Sequence, residues 1–115
     1  MTSADVTDIQ AMVTRVRVDD ALVDYLLQIS DMTRKAESIE LGISPRGTLA
    51  LFRSAQAMAL IEGRDYCIAD DIKRLVVPCF VHRIIVNSRS AGLKNRTHEA
   101  EQALHEILRS VAVPI

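Results

Sequence analysis

The chain has 115 residues, enough for one small domain and too few for two, with formal net charge −1, 49% hydrophobic and 25% charged residues. That balance excludes a strongly basic nucleic-acid or membrane-surface binder, and no apolar run approaches the roughly 18 residues that span a bilayer. Four Gly, three Pro, no Trp and two Phe are too few turn and aromatic residues for an all-β domain, so an all-α fold is expected.

Residues 2–14 predict a short helix capped by Thr2 or Ser3, with Val6, Ile9, Met12 and Val13 as its apolar stripe. Val16 to Val18 breaks the pattern and reads as extended. A second helix is expected from Asp19 or Asp20 to about Glu37, because Leu22, Tyr25, Leu26, Ile29, Met32 and Ala36 repeat at helical spacing. Ser38 to Ile43 reads as a loop. Ser44 is then a preferred N-cap and Pro45 a preferred first helical residue, since its missing N–H would be unpaired there. The helix they open runs to about Glu62, and Gly63 is a natural stop. Its apolar residues, among them Leu49, Leu51, Phe52, Ala55 and Ile61, form a wide band, which places this helix at the centre of the bundle.

Tyr66 to Ile68 reads as a short extended piece, and Asp70-Asp71 as the start of a helix that Pro78 should kink or shorten. Arg83 to Val86 is β-branched and predicts a two-stranded ribbon with Tyr66 to Ile68. Asn87 to Arg96 reads as a mobile loop, and Thr97 as the start of a last amphipathic helix through Leu104, Ile107 and Val111. The whole is one domain, 1–115, of four or five helices. Cys67 and Cys79 are not spaced as a metal or redox pair, so they read as reduced thiols of a cytoplasmic protein.

No phosphate-binding G-x-x-x-x-G-K-[ST], H-E-x-x-H or G-x-S-x-G motif occurs, and no nucleophile–base pair is apparent. His98 and His105 are seven residues apart on one helix face, too far to share a metal without further ligands, so no metal site is expected. Lys73-Arg74, the best candidate for a DNA-reading helix, follows two acidic residues, which argues against nucleic acid as a partner. Arg46 is the residue that breaks a local rule. A helix N-terminus carries roughly half a positive charge and free N–H groups, so a cation in the first turn is mildly repelled. Either Arg46 is a solvated side chain lying over the helix start, or it and the free N–H groups face an anion such as a phosphate.

The blocks GISPRGTLALFRSAQAMALIEGRDY (42–66), DDIKRLVVP (70–78) and HRI (82–84), in this order, resemble the C-terminal lid domain of MoxR-type AAA+ ATPases. The resemblance extends upstream through Val16 to Val18, Tyr25 and Thr33-Arg34, and downstream to Val113-Pro114. It implies a small AAA+ lid bundle, excised from a larger protein whose upstream α/β domain carries the nucleotide-binding motifs. It also implies that Ser44, Pro45, Arg46 and Gly47 lie against a triphosphate, with Arg46 as the sensor 2 residue that reaches the γ-phosphate. ATP, with Mg, would be bound by the full-length parent and not by the fragment alone.

The implied partners are the chain's own AAA+ core domain, neighbouring subunits of a hexameric ring, and a von Willebrand factor A domain protein. The implied role is chaperone-like maturation or activation of client proteins. The alternative from the residues alone is a free-standing helical interaction module with no nucleotide role. One departure is visible: the family usually places Thr or Ser, then Pro, before D-D-I, where this chain has Ile68-Ala69. The start of that helix must then rely on Asp70, Asp71 or water.

Overall fold

Around the helix opened by Pro45 the other elements assemble. In this computed structural model, which describes residues 1–87 and 93–114, the described residues form five helices and a two-stranded ribbon: α1 (Ser3–Thr14), α2 (Asp20–Lys35), β1 (Ile39–Leu41), α3 (Pro45–Ile61), α4 (Ala69–Phe80), β2 (Ile85–Val86) and α5 (Leu93–Ser110). Helix α3 packs against α1, α2 and α4, while α5 closes the bundle over α2 and α4. The expected all-α class and the central place of α3 are what the structure has.

Helices α1 and α3 use their ends as the sequence suggests. Thr2 caps α1 by a reciprocal pair: its hydroxyl accepts from the Asp5 N–H at 3.2 Å, and the Asp5 carboxylate accepts from the Thr2 N–H at 2.9 Å. Ser44 caps α3 by accepting from the Gly47 N–H at 3.2 Å. Gly63, with φ of 80°, ends α3: the N–H groups of Gly63 and Arg64 bond back to the carbonyls of Leu60 and Ala59. This is a Schellman arrangement, which needs a left-handed residue at the glycine position.

The core is one cluster fed by every helix except α1. It holds Leu22, Tyr25, Leu26 and Ile29 from α2, Leu51, Ala55 and Ala59 from α3, Ile72, Val76 and Phe80 from α4, and Ala100, Leu104 and Ile107 from α5. Small alanines on α3 let its neighbours approach closely, as their recurrence suggests. Gln56, also buried, is satisfied at both ends: its amide donates to the Val16 carbonyl at 2.8 Å and accepts from Arg53 at 2.8 Å. Burial without such partners would be costly.

Several expectations are corrected. The ribbon pairs β1 with β2, Ile39 opposite Val86 and Leu41 opposite Ile85, and Tyr66 to Ile68 takes no part in it. The 66–68 piece instead lies beside Val16 to Val18, with Arg17 donating to the Asp65 carbonyl at 2.9 Å and Cys67 donating to the Arg17 carbonyl at 2.8 Å. Those bonds give one edge of the 66–68 piece to the segment before α2. The stripe on α1 does not face the core: Val6, Ile9 and Met12 are 43%, 44% and 49% exposed, and α1 buries no residue. In α3, Leu49 is half-exposed and Ile61 is 80% exposed, so the wide apolar band overshoots the buried face; Phe52 is only partly buried. Helix α2 ends at Lys35, two residues early, because Ala36 turns extended toward β1. Helix α4 runs through Pro78 to Phe80 without being shortened there. The last helix is already under way at Leu93, so Thr97 lies inside it, and the rest of the expected loop, 88–92, lies outside the described residues.

The uncapped start of α4 is resolved by Asp71. Its carboxylate, 1% exposed, accepts from the Ile68 N–H at 2.8 Å and takes both arms of Arg64 at 2.7 and 2.8 Å. Arg64 also bonds Glu62 at 2.7 Å, and Glu62 holds Arg74 at 2.8 Å. The end of α3 is thus tied to the start of α4. Burial alone would push the Asp71 carboxyl up, but the Arg64 bonds and the Ile68 N–H more than offset it and hold it below the usual carboxylate range.

Three outcomes are expected. Phe80 is fully buried, so Phe80→Ala should cost about 3–5 kcal/mol in a denaturant melt. At Gly42 an added Cβ would lie 2.6 Å from the Thr33 carbonyl oxygen and 2.7 Å from the Arg34 backbone, neither of which can swing aside. Gly42→Ala should therefore destabilise by about 1–3 kcal/mol in the same assay. Because the folded carboxyl of Asp71 sits below its unfolded value of about 3.9, its stabilisation is complete above that pH and is lost as pH falls through the folded value. Asp71→Asn should therefore melt well below the wild type near neutral pH, and the gap should narrow in acid; a gap that stays constant to pH about 3 would contradict this origin.

Candidate functional site

The loop before α3 is fixed before any side chain of the site is considered. Ile43 is buried, and both of its backbone polar groups are taken by consecutive residues of α2. Its N–H donates to the Thr33 hydroxyl at 2.9 Å, and its carbonyl accepts from Arg34 Nε at 2.9 Å. Thr33 in turn donates to the Ser30 carbonyl, and the Thr48 hydroxyl of α3 donates to the Ser30 hydroxyl at 3.0 Å. Gly42 allows the close approach, since any side chain there would enter the α2 backbone. Ser44, Pro45, Arg46 and Gly47 follow from this anchored point.

These four residues line one side of an open concavity of about 760 Å³. Arg46 occupies the second position of α3, exposed, with no acidic residue in that turn. The Gly47 N–H is taken by the Ser44 hydroxyl, Pro45 has none, and the Arg46 N–H has no acceptor among the described residues. Ion pairs among the described residues join Lys35 to Asp31 and link Arg64 and Arg74 to Glu62 and Asp71; Arg46 is in none of them. The cation and a free backbone donor therefore share a helix start with nothing negative against them.

Sequence reasoning singled out the 44–47 block but did not foresee what the fold adds. Arg34, from the end of α2, and Arg83, from the turn between α4 and β2, line the same concavity, with Glu40 of β1 on its rim. The only hint was that Thr33-Arg34 and His82-Arg83-Ile84 carried the resemblance; their spacing from Arg46 says nothing of proximity. A second concavity, about 400 Å³ and apolar, adjoins the first by sharing Arg34 and Pro45, and Val23, Leu27, Leu49 and Phe52 line it between α2 and α3. Arg74 of the Lys73-Arg74 pair bonds Glu62 at 2.8 Å. Among the described residues no helix is long and apolar enough to cross a membrane.

Comparison with known proteins agrees with this architecture. The family described as the AAA lid domain matches over residues 31–107. The Bacillus subtilis protein YeaC, itself uncharacterised, is 39% identical over 107 residues, which is 93% of this chain and 32% of that protein. Mycobacterium tuberculosis chaperone MoxR1 is 27% identical over 99% of this chain and 32% of its own length. A crystal structure of a candidate ATPase from Cytophaga hutchinsonii superposes with a TM-score of 0.83 at 28% identity, covering 97% of this chain and 36% of that one. The chain thus spans about a third of the length of the curated relatives it matches first. With two thirds of its residues matched, the chain belongs to the AAA lid domain family, and MoxR-named proteins are among its relatives.

Proposed function

We propose that this chain is the lid of an AAA+ ATPase: it closes over ATP held by a nucleotide-binding domain elsewhere in the full-length protein and presents Arg46 to the γ-phosphate. The observation that carries this reading is the unpaired Arg46 guanidinium beside a free N–H at the start of α3, facing an open concavity. A polyanion fits those donors, because helix starts and arginines both favour phosphate oxygens. The group bound there supplies the phosphoryl-transfer chemistry. Arg46 supplies a planar cation, Ser44 holds the first turn in place, and Thr33 with Arg34 fixes the loop that aims it. The phosphate loop and the magnesium ligands belong to the rest of the protein, so the fragment alone neither hydrolyses ATP nor binds it tightly.

The apolar concavity beside the arginines and the exposed stripe of α1 are surfaces for the protein's own core domain or for neighbouring subunits of a hexameric ring. Closure and opening would then be a rigid-body motion, coupled to chaperone-like maturation of clients in the cytoplasm, with a von Willebrand factor A domain protein as a partner. The α1 stripe also favours the alternative, a free-standing interaction module, but that reading gives Arg46 no task.

The deciding experiment pairs two measurements on Arg46→Ala. In the full-length protein, ATP hydrolysis should fall roughly ten-fold or more while ADP binding changes little, and Arg46→Lys should restore only part of the rate. In this chain alone, the melting temperature should stay level or rise slightly, since a cation leaves the positive end of a helix. Unchanged hydrolysis together with a destabilised chain would make Arg46 a structural residue.

A further inference from the structure

We propose that Arg83 is a second anion-contacting residue of the same site, so that the chain presents two arginines to neighbouring phosphates of one polyphosphate. The inference rests on the lid reading above and extends it to a residue 37 positions away in sequence, reached only through the fold.

Arg83 is held where it is by structure on both sides. Its N–H donates to the Phe80 carbonyl at 2.9 Å; Phe80 is fully buried and Ile84 is buried, so the backbone between them is pinned to the core. From there β2 runs against β1, with Ile85 opposite Leu41. The stem of Arg83 runs over the first turn of α3: a Cβ added at Gly47 would lie 3.6 Å from Arg83 Cδ. That is ordinary van der Waals range, so the stem of Arg83 packs against the turn that carries Arg46. Arg83 lines the same concavity as Arg46 and Arg34.

Three cations gather there with no ion pair among the described residues. The chain carries 14 basic and 15 acidic residues, yet Arg34, Arg46 and Arg83 meet around one concavity without a salt bridge. Glu40 is on the rim and pairs with none of them. Arg34 spends its Nε on the Ile43 carbonyl and is a positioning residue. The guanidinium groups of Arg46 and Arg83 have no hydrogen-bond or ion-pair partner among the described residues. Like charges gathered beside the positive end of a helix repel one another, and an anion with several negative oxygens in a row relieves both repulsions at once. A single phosphate has one centre to offer; a chain of phosphates can meet two guanidinium forks arriving from different elements.

The test uses this chain with inorganic tripolyphosphate and, separately, orthophosphate, followed by NMR through the side-chain Nε–Hε signals of the arginines. Tripolyphosphate should shift the Arg46 and Arg83 signals together, orthophosphate should bind more weakly, and added salt should reverse both. Arg83→Ala should weaken tripolyphosphate binding about five-fold, with an unchanged melting temperature. Arg83→Lys should recover part of the loss, which a merely structural arginine would not show. Glu40→Gln should tighten binding by removing the one negative group from the rim. Tripolyphosphate binding by Arg83→Ala equal to wild type, or no shift of the Arg83 signal at millimolar tripolyphosphate, overturns the proposal. The two readings fail separately. If Arg46→Ala abolishes the response and Arg83→Ala leaves it intact, the second contact is overturned and the Arg46 reading stands. If both variants weaken polyphosphate binding while hydrolysis by the full-length protein ignores Arg46→Ala, the paired arginines stand and the nucleotide reading falls.

Discussion

One peptide unit of a buried isoleucine carries the organisation of this molecule's working end. Ile43 is 1% exposed, so its N–H and carbonyl cannot be left to water, and Thr33 and Arg34 satisfy one each. Two successive side chains at the end of α2 thereby fix the position and direction of the residue just before the α3 cap. Ser44, Pro45 and Arg46 inherit that direction. The Ser30 and Thr48 hydroxyls close a buried polar link between the two helices a turn further in. A loop held by its own main chain presents an exposed arginine more rigidly than a loop held by surface side chains.

The helices were legible in the sequence because caps and period agree in most of them: Thr2 with Asp5, Ser44 with Pro45, Gly63, and the apolar rhythm of α2 and α5. What failed has a common cause in tertiary context. A three-residue strand such as Ile39–Leu41 shows too little alternation to register, and the partner of Ile85–Val86 is decided by which backbone groups Arg17 has already taken. The α1 stripe obeys the helical period without facing the core, since periodicity shows that a face is apolar and not what covers it. At the site, Arg46 could be found because it violates a local electrostatic preference. Arg34 and Arg83 violate nothing locally, and only folding brings them beside it.

Ile68-Ala69, where the resemblance leads one to expect Ser or Thr and then Pro, leaves α4 with half of a capping box. The Ile68 hydrophobe offers no acceptor to the first-turn N–H groups of α4, while Asp71 keeps the other half of a capping box by accepting the Ile68 N–H from inside the helix. That carboxylate is buried, so it requires a cation, and Arg64 just beyond the Gly63 turn supplies a two-armed one. The cap of one helix and the exit of the previous one become a single unit. The Cys67 thiol between them, raised to about 11 mainly by burial and next by the Asp71 charge, stays protonated and unreactive beside it.

Helix α3 starts at the anchored Ile43 loop and ends at the Gly63 turn, and 17 residues at the α-helical rise span roughly 25 Å. It is gripped along its sides by α1, α2 and α4, and its end is locked to α4 through Glu62, Arg64 and Asp71. Such a rod cannot flex locally at Arg46 without carrying its opposite end with it. Ile61, among the described residues the most exposed large apolar side chain after Met1, sits at that opposite end. A pull on the arginine is therefore passed into α1, α2 and α4 and carried by the bundle as one body, with the greasy Ile61 tip at the far end of the same rod.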